Sequence, residues 1–227
     1  KDPKINQIDI ATGYWDIPGT SKLADELDTF LEREGTKLRI LIGKDPYLFV
    51  KYNKNPKYKD FKNWPEEYIR TDINEIEVKP EYENAVRFLL KYLDTKDKIE
   101  IHIYKRNAND ESQFLHSKCY IFLDTANEEA FGIIGSSNFT EKGLNDNAEL
   151  NYLESNWNCV GAIGSQKHKT HEQWFNEKWI LSEDWSKEFL EQVLRPSKIG
   201  QKVEKDNKYA NVDPVYKDAD NNKLLTP

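Results

Sequence analysis

His116 and Lys118 stand two positions apart and are followed by a Gly135-Ser136-Ser137-Asn138 turn and, further on, by Glu149. These residue types suit one kind of chemistry. An imidazole whose ordinary pKa leaves much of it neutral near pH 7 can attack phosphorus. Lys118 supplies a fixed positive charge, and the Asn138 amide and Ser136 hydroxyl supply oriented donors for phosphate oxygens. A phosphodiester brings one negative charge to such a site and concentrates more as a phosphorane-like state forms. Glu149, if it reaches the far ring nitrogen of His116, fixes the tautomer and stabilises the imidazolium. Carboxylates grouped for Mg²⁺ do not accompany the set, and the four His and two Cys lack zinc spacing. Metal-independent chemistry without a cofactor is therefore the expectation.

Those groups act together only if the backbone aims them at one spot. Residues at i and i+2 of a strand project from the same face, so a strand here points His116 and Lys118 one way and Ser117 and Cys119 the other. Apolar runs at Cys119–Leu123 and Phe131–Ile134 flank a polar turn, which is a hairpin pattern with a longer loop. A turn centred near Asn127 sets Lys118 beside Gly135 and Ser136, and His116 beside Ser137 and Asn138. Phe139–Asn147 predicts one short helical turn, and Ala148–Glu154 returns as a strand with Glu149 near its start.

The remaining segments predict an α/β frame. Ile8–Tyr14 reads as a strand, Ser21–Arg33 as a helix and Lys37–Gly43 as a strand, an order that favours a parallel crossover. Lys79–Leu93 is an amphipathic helix with Pro80 in its first turn. Lys98–Tyr104 alternates as a strand, with His102 opposite its isoleucines and read as an ordinary exposed or hydrogen-bonded ring. Lys44–Asp72, interrupted by Pro46, Pro56 and Pro65, reads as an excursion from the sheet, either a solvated loop whose aromatics pin it to the body, the slightly favoured reading, or a phosphate-tracking surface with stacking aromatics. Lys169–Leu181 and Glu183–Leu194 read as helices. Beyond Arg195-Pro196 the apolar pattern fades, so residues 1–195 are expected to form the domain and 196–227 a linker or the start of a following region.

Composition narrows the class. The 227 residues are 32% charged with a net charge of −7, and the mean hydropathy is −0.85. No apolar run approaches the roughly 18 residues of a spanning helix, and a cytoplasmic protein without a disulfide between Cys119 and Cys159 is expected. The net charge opposes a uniformly basic nucleic-acid binder but leaves room for a local basic rim, for which Lys167, His168, Lys169 and His171 are the candidates. Methionine does not occur, which reads as a fragment or as a sequence with modified methionines left out.

Taken in order, His116-x-Lys118, Gly135-Ser136-x-Asn138, Phe139-Thr140-x-x-Gly143-Leu144 and Asn147-x-Glu149 resemble the signature of the phospholipase D superfamily. They are most similar to its nuclease branch, where restriction-type endonucleases and PLD-like domains fused to helicases belong. The Ile10-Ala11-Thr12-Gly13-Tyr14 and Lys37–Gly43 strands extend the resemblance loosely over residues 5–195. It implies a PLD-like α/β/α sandwich, a mixed β-sheet flanked by helices on both faces, holding a single half of a two-motif site. It implies cleavage of DNA through a phosphohistidine at His116, with Lys118, Asn138 and Ser136 holding the phosphate. Such a mechanism needs a second imidazole to protonate the leaving oxygen, and the chain has one HxK. The resemblance therefore implies a homodimer sharing one site, and it also implies association with a helicase or ATPase region. His168 or His171 as the acid is the less favoured alternative. The family's usual Asp would fall at Leu123, while the nearest carboxylate is Asp124. Two other functions stay open: a non-catalytic nucleic-acid-binding module of a larger helicase-type protein, and a phospholipid hydrolase or transferase.

Overall fold

The computed structural model describes residues 4–43, 64–104, 115–126, 129–155 and 171–210. Its frame is a ladder of isoleucines and leucines. Strands β1 (Gln7–Thr12), β2 (Lys37–Ile42) and β3 (Ile99–Ile103) run parallel. Their register aligns Ile8 with Leu38 and Ile99, Ile10 with Ile40 and Ile101, and Thr12 with Ile42 and Ile103. Period-two alternation then puts all these side chains on one face. Antiparallel β4 (Cys119–Asp124) joins the other side of β1, followed outward by β5 (Glu129–Gly135) and β6 (Asn151–Ser155). Two residues of β7 (Glu183–Asp184) close the edge at β3, giving the order β6-β5-β4-β1-β2-β3-β7.

The isoleucine face carries the larger core. Helices α1 (Ile17–Ser21), α2 (Ala24–Glu32), α3 (Trp64–Glu75) and α4 (Pro80–Leu93) contribute to it Ile17, Leu27, Leu31, Ile69, Ile73, Val86 and Leu89. The amphipathic pattern and Pro80 at the first turn of α4 hold as expected. The other face is seated by α5 (His171–Ile180), whose Phe175 packs with Ala11, Leu41, Cys119, Ile121 and Leu123. The chain then returns to the first face through α6 (Ser186–Glu188), its π-helical continuation Phe189–Leu194, and α7 (Lys198–Ala210). A mixed sheet with helices on both faces is thus the architecture expected from the sequence.

Several elements differ from the sequence reading. The end of the Lys44–Asp72 excursion is the first part of α3, which buries Ile69 and Ile73. Residues 44–63, with their Lys and aromatic alternation, lie outside the described residues. Glu183 opens a two-residue strand rather than a helix. Ordered packing also runs past residue 195, because α7 places Ile199 and Val203 in the main core. Among the described residues, no helix is long and apolar enough to cross a membrane.

Candidate active site

The site forms on the isoleucine face where β1 ends and β4 begins. Residues 115–118 enter β4 as extended chain outside the strand itself, so His116 and Lys118 precede the ladder rather than belong to it. The expected pairing still holds. Cys119 sits opposite Ile134 in the hairpin, and the Gly135 N–H donates to the Lys118 carbonyl at 3.2 Å. Lys118 is 7% exposed and donates from Nζ to the His116 carbonyl at 2.8 Å. That bond fixes the ammonium against the His116 backbone.

Gly13, just past the end of β1, marks the centre. A Cβ at Gly13 would lie 3.0 Å from His116 Cδ2, 3.3 Å from Asn138 Oδ1 and 3.5 Å from Lys118 Nζ. Imidazole, amide and ammonium therefore converge over one bare Cα. Tyr14 follows, its ring edge-on to His116 at 6.4 Å and 88°. Its N–H donates to Asn138 Oδ1 at 3.1 Å, which assigns the amide oxygen inward and turns the Nδ2 group to donate. Thr12 Oγ1 completes this junction, accepting from the Phe139 N–H at 3.0 Å and donating to the Tyr14 carbonyl at 2.5 Å.

The turn that carries Asn138 is held from both ends. Ser137 points inward, 5% exposed, where Asn151 Nδ2 donates to its Oγ at 2.7 Å and the Tyr120 hydroxyl to its carbonyl at 2.9 Å. Ser136, on one side, is exposed, and Asn138, on the other, is partly buried with its amide oxygen on the Tyr14 N–H. A π-helical turn, Lys142–Asp146, takes the place of the helical turn expected near Gly143. A side chain at Gly143 would strike the Asn138 backbone. Ser136 Oγ accepts from the Leu150 N–H at 3.0 Å, and the Ser136 hydroxyl bonds the Glu149 carboxylate. With a second bond from Asn147 Nδ2 at 3.0 Å and the field of Lys118, this holds Glu149 below the usual carboxylate range. Ser136 thus directs its proton to Glu149, leaving the Asn138 amide as the outward donor.

Behind the site, Asp16 ties the two loops together. Its N–H donates to the Phe139 carbonyl at 3.3 Å, and its Oδ1 accepts from Gly19 N at 2.6 Å and Glu141 N at 3.2 Å. Burial, with the nearby charges of Asp72 and Glu141, pushes its carboxyl up to about 6. Neither Gly13 nor Asp16 was singled out by sequence reasoning. The one available signal was the Gly13-Tyr14 step closing an apolar strand.

The other candidates lie elsewhere. Asp124 occupies the far end of β4, 2% exposed, accepting from the Lys4 and Ala126 N–H groups at 2.8 and 3.3 Å. It shapes the hairpin turn and does not enter the site, and neither does Leu123, which faces the second core. His102 is half-buried, stacked on Trp179 at 3.7 Å, with Nδ1 2.7 Å from Ser182 Oγ. His171 opens α5, on the opposite face of the sheet. Lys167, His168, Lys169 and Cys159 lie outside the described residues. Among the described residues, no group of three or more His, Cys, Asp or Glu is gathered as for a metal ion.

Compared with known families, residues 3–179 match the family described as cardiolipin synthase, PLD-like domain. Comparison with curated proteins finds no match.

Proposed function

The chain belongs to the PLD-like family, and on that premise we propose that it is a metal-independent phosphodiesterase that cleaves DNA through a phosphohistidine at His116. The observation that carries the proposal is the convergence of His116, Lys118 and Asn138 over Gly13. In the first step, an imidazole nitrogen of His116 forms a bond to phosphorus while the ester P–O bond breaks. A second imidazole gives its proton to the departing oxygen. In the second step the same imidazole takes a proton from water, whose oxygen displaces His116 from phosphorus. Lys118, fixed by its bond to the His116 carbonyl, and the Asn138 Nδ2 group stabilise the charge gathered on the non-bridging oxygens. Glu149, bonded by Ser136 and Asn147 and within the field of Lys118, contributes negative charge to the site. Because the sequence holds one HxK, we assign the second imidazole to His116 of a second copy, in a homodimer with one shared site. A helicase or ATPase region as a fused partner fits the same reading.

The test is nicking of plasmid DNA in EDTA by the native chain and by His116→Ala. Cleavage by the native chain and background for the variant are expected. A requirement for Mg²⁺, or survival of activity in the variant, would sink the mechanism. The family description, which names cardiolipin synthase, favours a second reading, a phospholipid headgroup as the phosphodiester. Release of headgroup from phosphatidylglycerol or phosphatidylcholine vesicles, with no cut in DNA, would decide for it. Binding of DNA without cleavage, including of a bis-aryl phosphodiester, would decide for a non-catalytic module.

A further inference from the structure

We propose that Asp16 is a positioning residue for phosphoryl transfer and acts through Asn138. One side-chain oxygen, shared between two backbone N–H groups, holds the loop that carries the amide against the loop that carries Gly13. The inference rests on the phosphodiesterase reading above and is indifferent to whether the substrate is DNA or a phospholipid. The two loops run side by side beyond β1 and β5. Phe139 N–H donates to Thr12 Oγ1 at 3.0 Å, the Tyr14 N–H donates to Asn138 Oδ1 at 3.1 Å, and Trp15 and Phe139 form a parallel bridge. Both bridge residues are buried in the main core, so the chain around Asn138 starts from fixed ground.

Asp16 acts where that chain leaves, at Thr140 and Glu141. Its Oδ1 accepts from the Glu141 N–H at 3.2 Å and from the Gly19 N–H at 2.6 Å, joining the exit of the Asn138 loop to the first turn of α1. A Cβ at Gly19 would lie 2.5 Å from the Thr140 Cα, so α1 meets this loop backbone to backbone. On the other side Gly143 packs against the backbone of Asn138 itself. The placement matters because a donor stabilises a transition state only when it is already aimed where charge develops. A helix cap alone does not account for the arrangement. Capping α1 is satisfied by Gly19, whereas the bond to Glu141 reaches a residue 125 positions away. Nor does the fold draw on the charge of the carboxylate. Burial and the fields of Asp72 and Glu141 oppose the ionised form, so what the loop uses is the place of the oxygen.

Two substitutions separate these roles. Asp16→Asn keeps an oxygen with the reach for both N–H groups. Asp16→Ser still caps the Gly19 N–H, but its hydroxyl is one bond shorter and falls short of Glu141. The experiment is steady-state hydrolysis of a bis-aryl phosphodiester in EDTA, well below the melting temperature of each chain. Native protein, Asp16→Ser, Asp16→Asn, Asn138→Ala and the Asp16→Ser, Asn138→Ala double variant are compared. Asp16→Ser should lose roughly tenfold or more in kcat, with KM changed by less than about twofold. Asp16→Asn should recover kcat to within about threefold of native. In the Asn138→Ala background Asp16→Ser should cost less than about threefold, because its effect passes through the missing amide. Native kcat in Asp16→Ser would make Asp16 a helix cap and nothing more. Equal losses in the two backgrounds, a change in KM alone, or a loss in Asp16→Asn as large as in Asp16→Ser would each overturn the role while the phosphodiesterase reading stands. If the native chain cleaves none of the bis-aryl ester, plasmid DNA and phosphatidylglycerol, that reading falls and the role with it.

Discussion

At the residue scale, the glycine that a composition table would pass over is the one that sets the site's geometry. Gly13 does not have positive φ, so alanine suits its backbone and could add a few tenths of a kcal/mol of stability through the unfolded chain. Its methyl would nevertheless sit 3.0 Å from the His116 ring and push it by a few tenths of an ångström. Gly13→Ala should therefore lose roughly tenfold or more in cleavage with an unchanged melting temperature, since small misplacements of reacting groups cost up to about 100-fold. A variant that melts early would instead make Gly13 a packing residue. Asp16 behaves differently, through charge. Its folded carboxyl lies at about 6, above its ordinary value of 3.8, so between those values the native state holds more protons than the unfolded chain. Stability contributed by this group is present in acid and is lost as pH rises through about 6. Asp16→Asn keeps the Oδ1 acceptor for Gly19 and Glu141 without the charge. Above pH 6 it should be more stable than the native chain by on the order of 1–3 kcal/mol, a gain that shrinks towards pH 4, as chemical denaturation at both pH values would register. His116, Lys118 and Asn138 were legible because motif order and hairpin register both pointed to them. Gly13 and Tyr14 were not, because their partners lie more than a hundred positions away across the β1–β4 pairing, and Asp16, though it caps Gly19 locally, ties to Phe139 and Glu141 from the same distance.

At the scale of elements, the strands were the most legible part, because apolar alternation and register follow from burial alone. What patterning could not convey was how α5 is fastened to its face of the sheet. Asp9 is fully buried, and Arg39 grips it with two bonds, at 2.7 and 2.5 Å, then reaches Asn176 of α5 at 2.9 Å. The guanidinium also lies over the Phe175 and Trp179 rings at 4.8 and 5.1 Å. Burial pushes the Asp9 carboxyl up, and the paired arginine works against that shift. A charge in such a place is tolerable only while paired. Arg39→Met should destabilise the chain by about 3–5 kcal/mol, whereas Asp9→Leu combined with Arg39→Met should recover most of that loss. Urea denaturation of the two variants measures it; equal losses would mean that the pair itself, and not the orphaned charge, supplies the stability. The pair escaped sequence reasoning because Asp9 reads as an interruption in an apolar strand, with its partner on another strand.

For the molecule as a whole, the open question is where the folded unit ends. The sequence lost its pattern after Pro196 because α7 is Lys-rich and buries few apolar side chains. Two such positions, Ile199 and Val203, are nonetheless fully buried in the main core. Gly200 lets the helix approach the preceding turn, since a side chain there would strike the Leu194 carbonyl. The outer face of α7 is tied down by charge, with Lys202 paired to Glu83 of α4 and Glu204 to Arg195 at 3.1 Å. Exposed pairs of this kind contribute little, so the apolar pair should dominate. At about 1.5–3 kcal/mol for each fully buried side chain, ending the chain after Pro196 should remove roughly 3–6 kcal/mol. That is a large share of the 5–15 kcal/mol typical of a domain. A chain ending after Ala210 should keep the native urea midpoint, and one ending after Pro196 should unfold at distinctly lower urea with a smaller slope, because less surface is exposed. Since α7 packs on the helical layer and its nearest partners are α4 and the turn after Leu194, the shorter chain should still cleave at low temperature while it remains folded. Equal midpoints for the two truncations would return the boundary to residue 195 and make α7 an appendage.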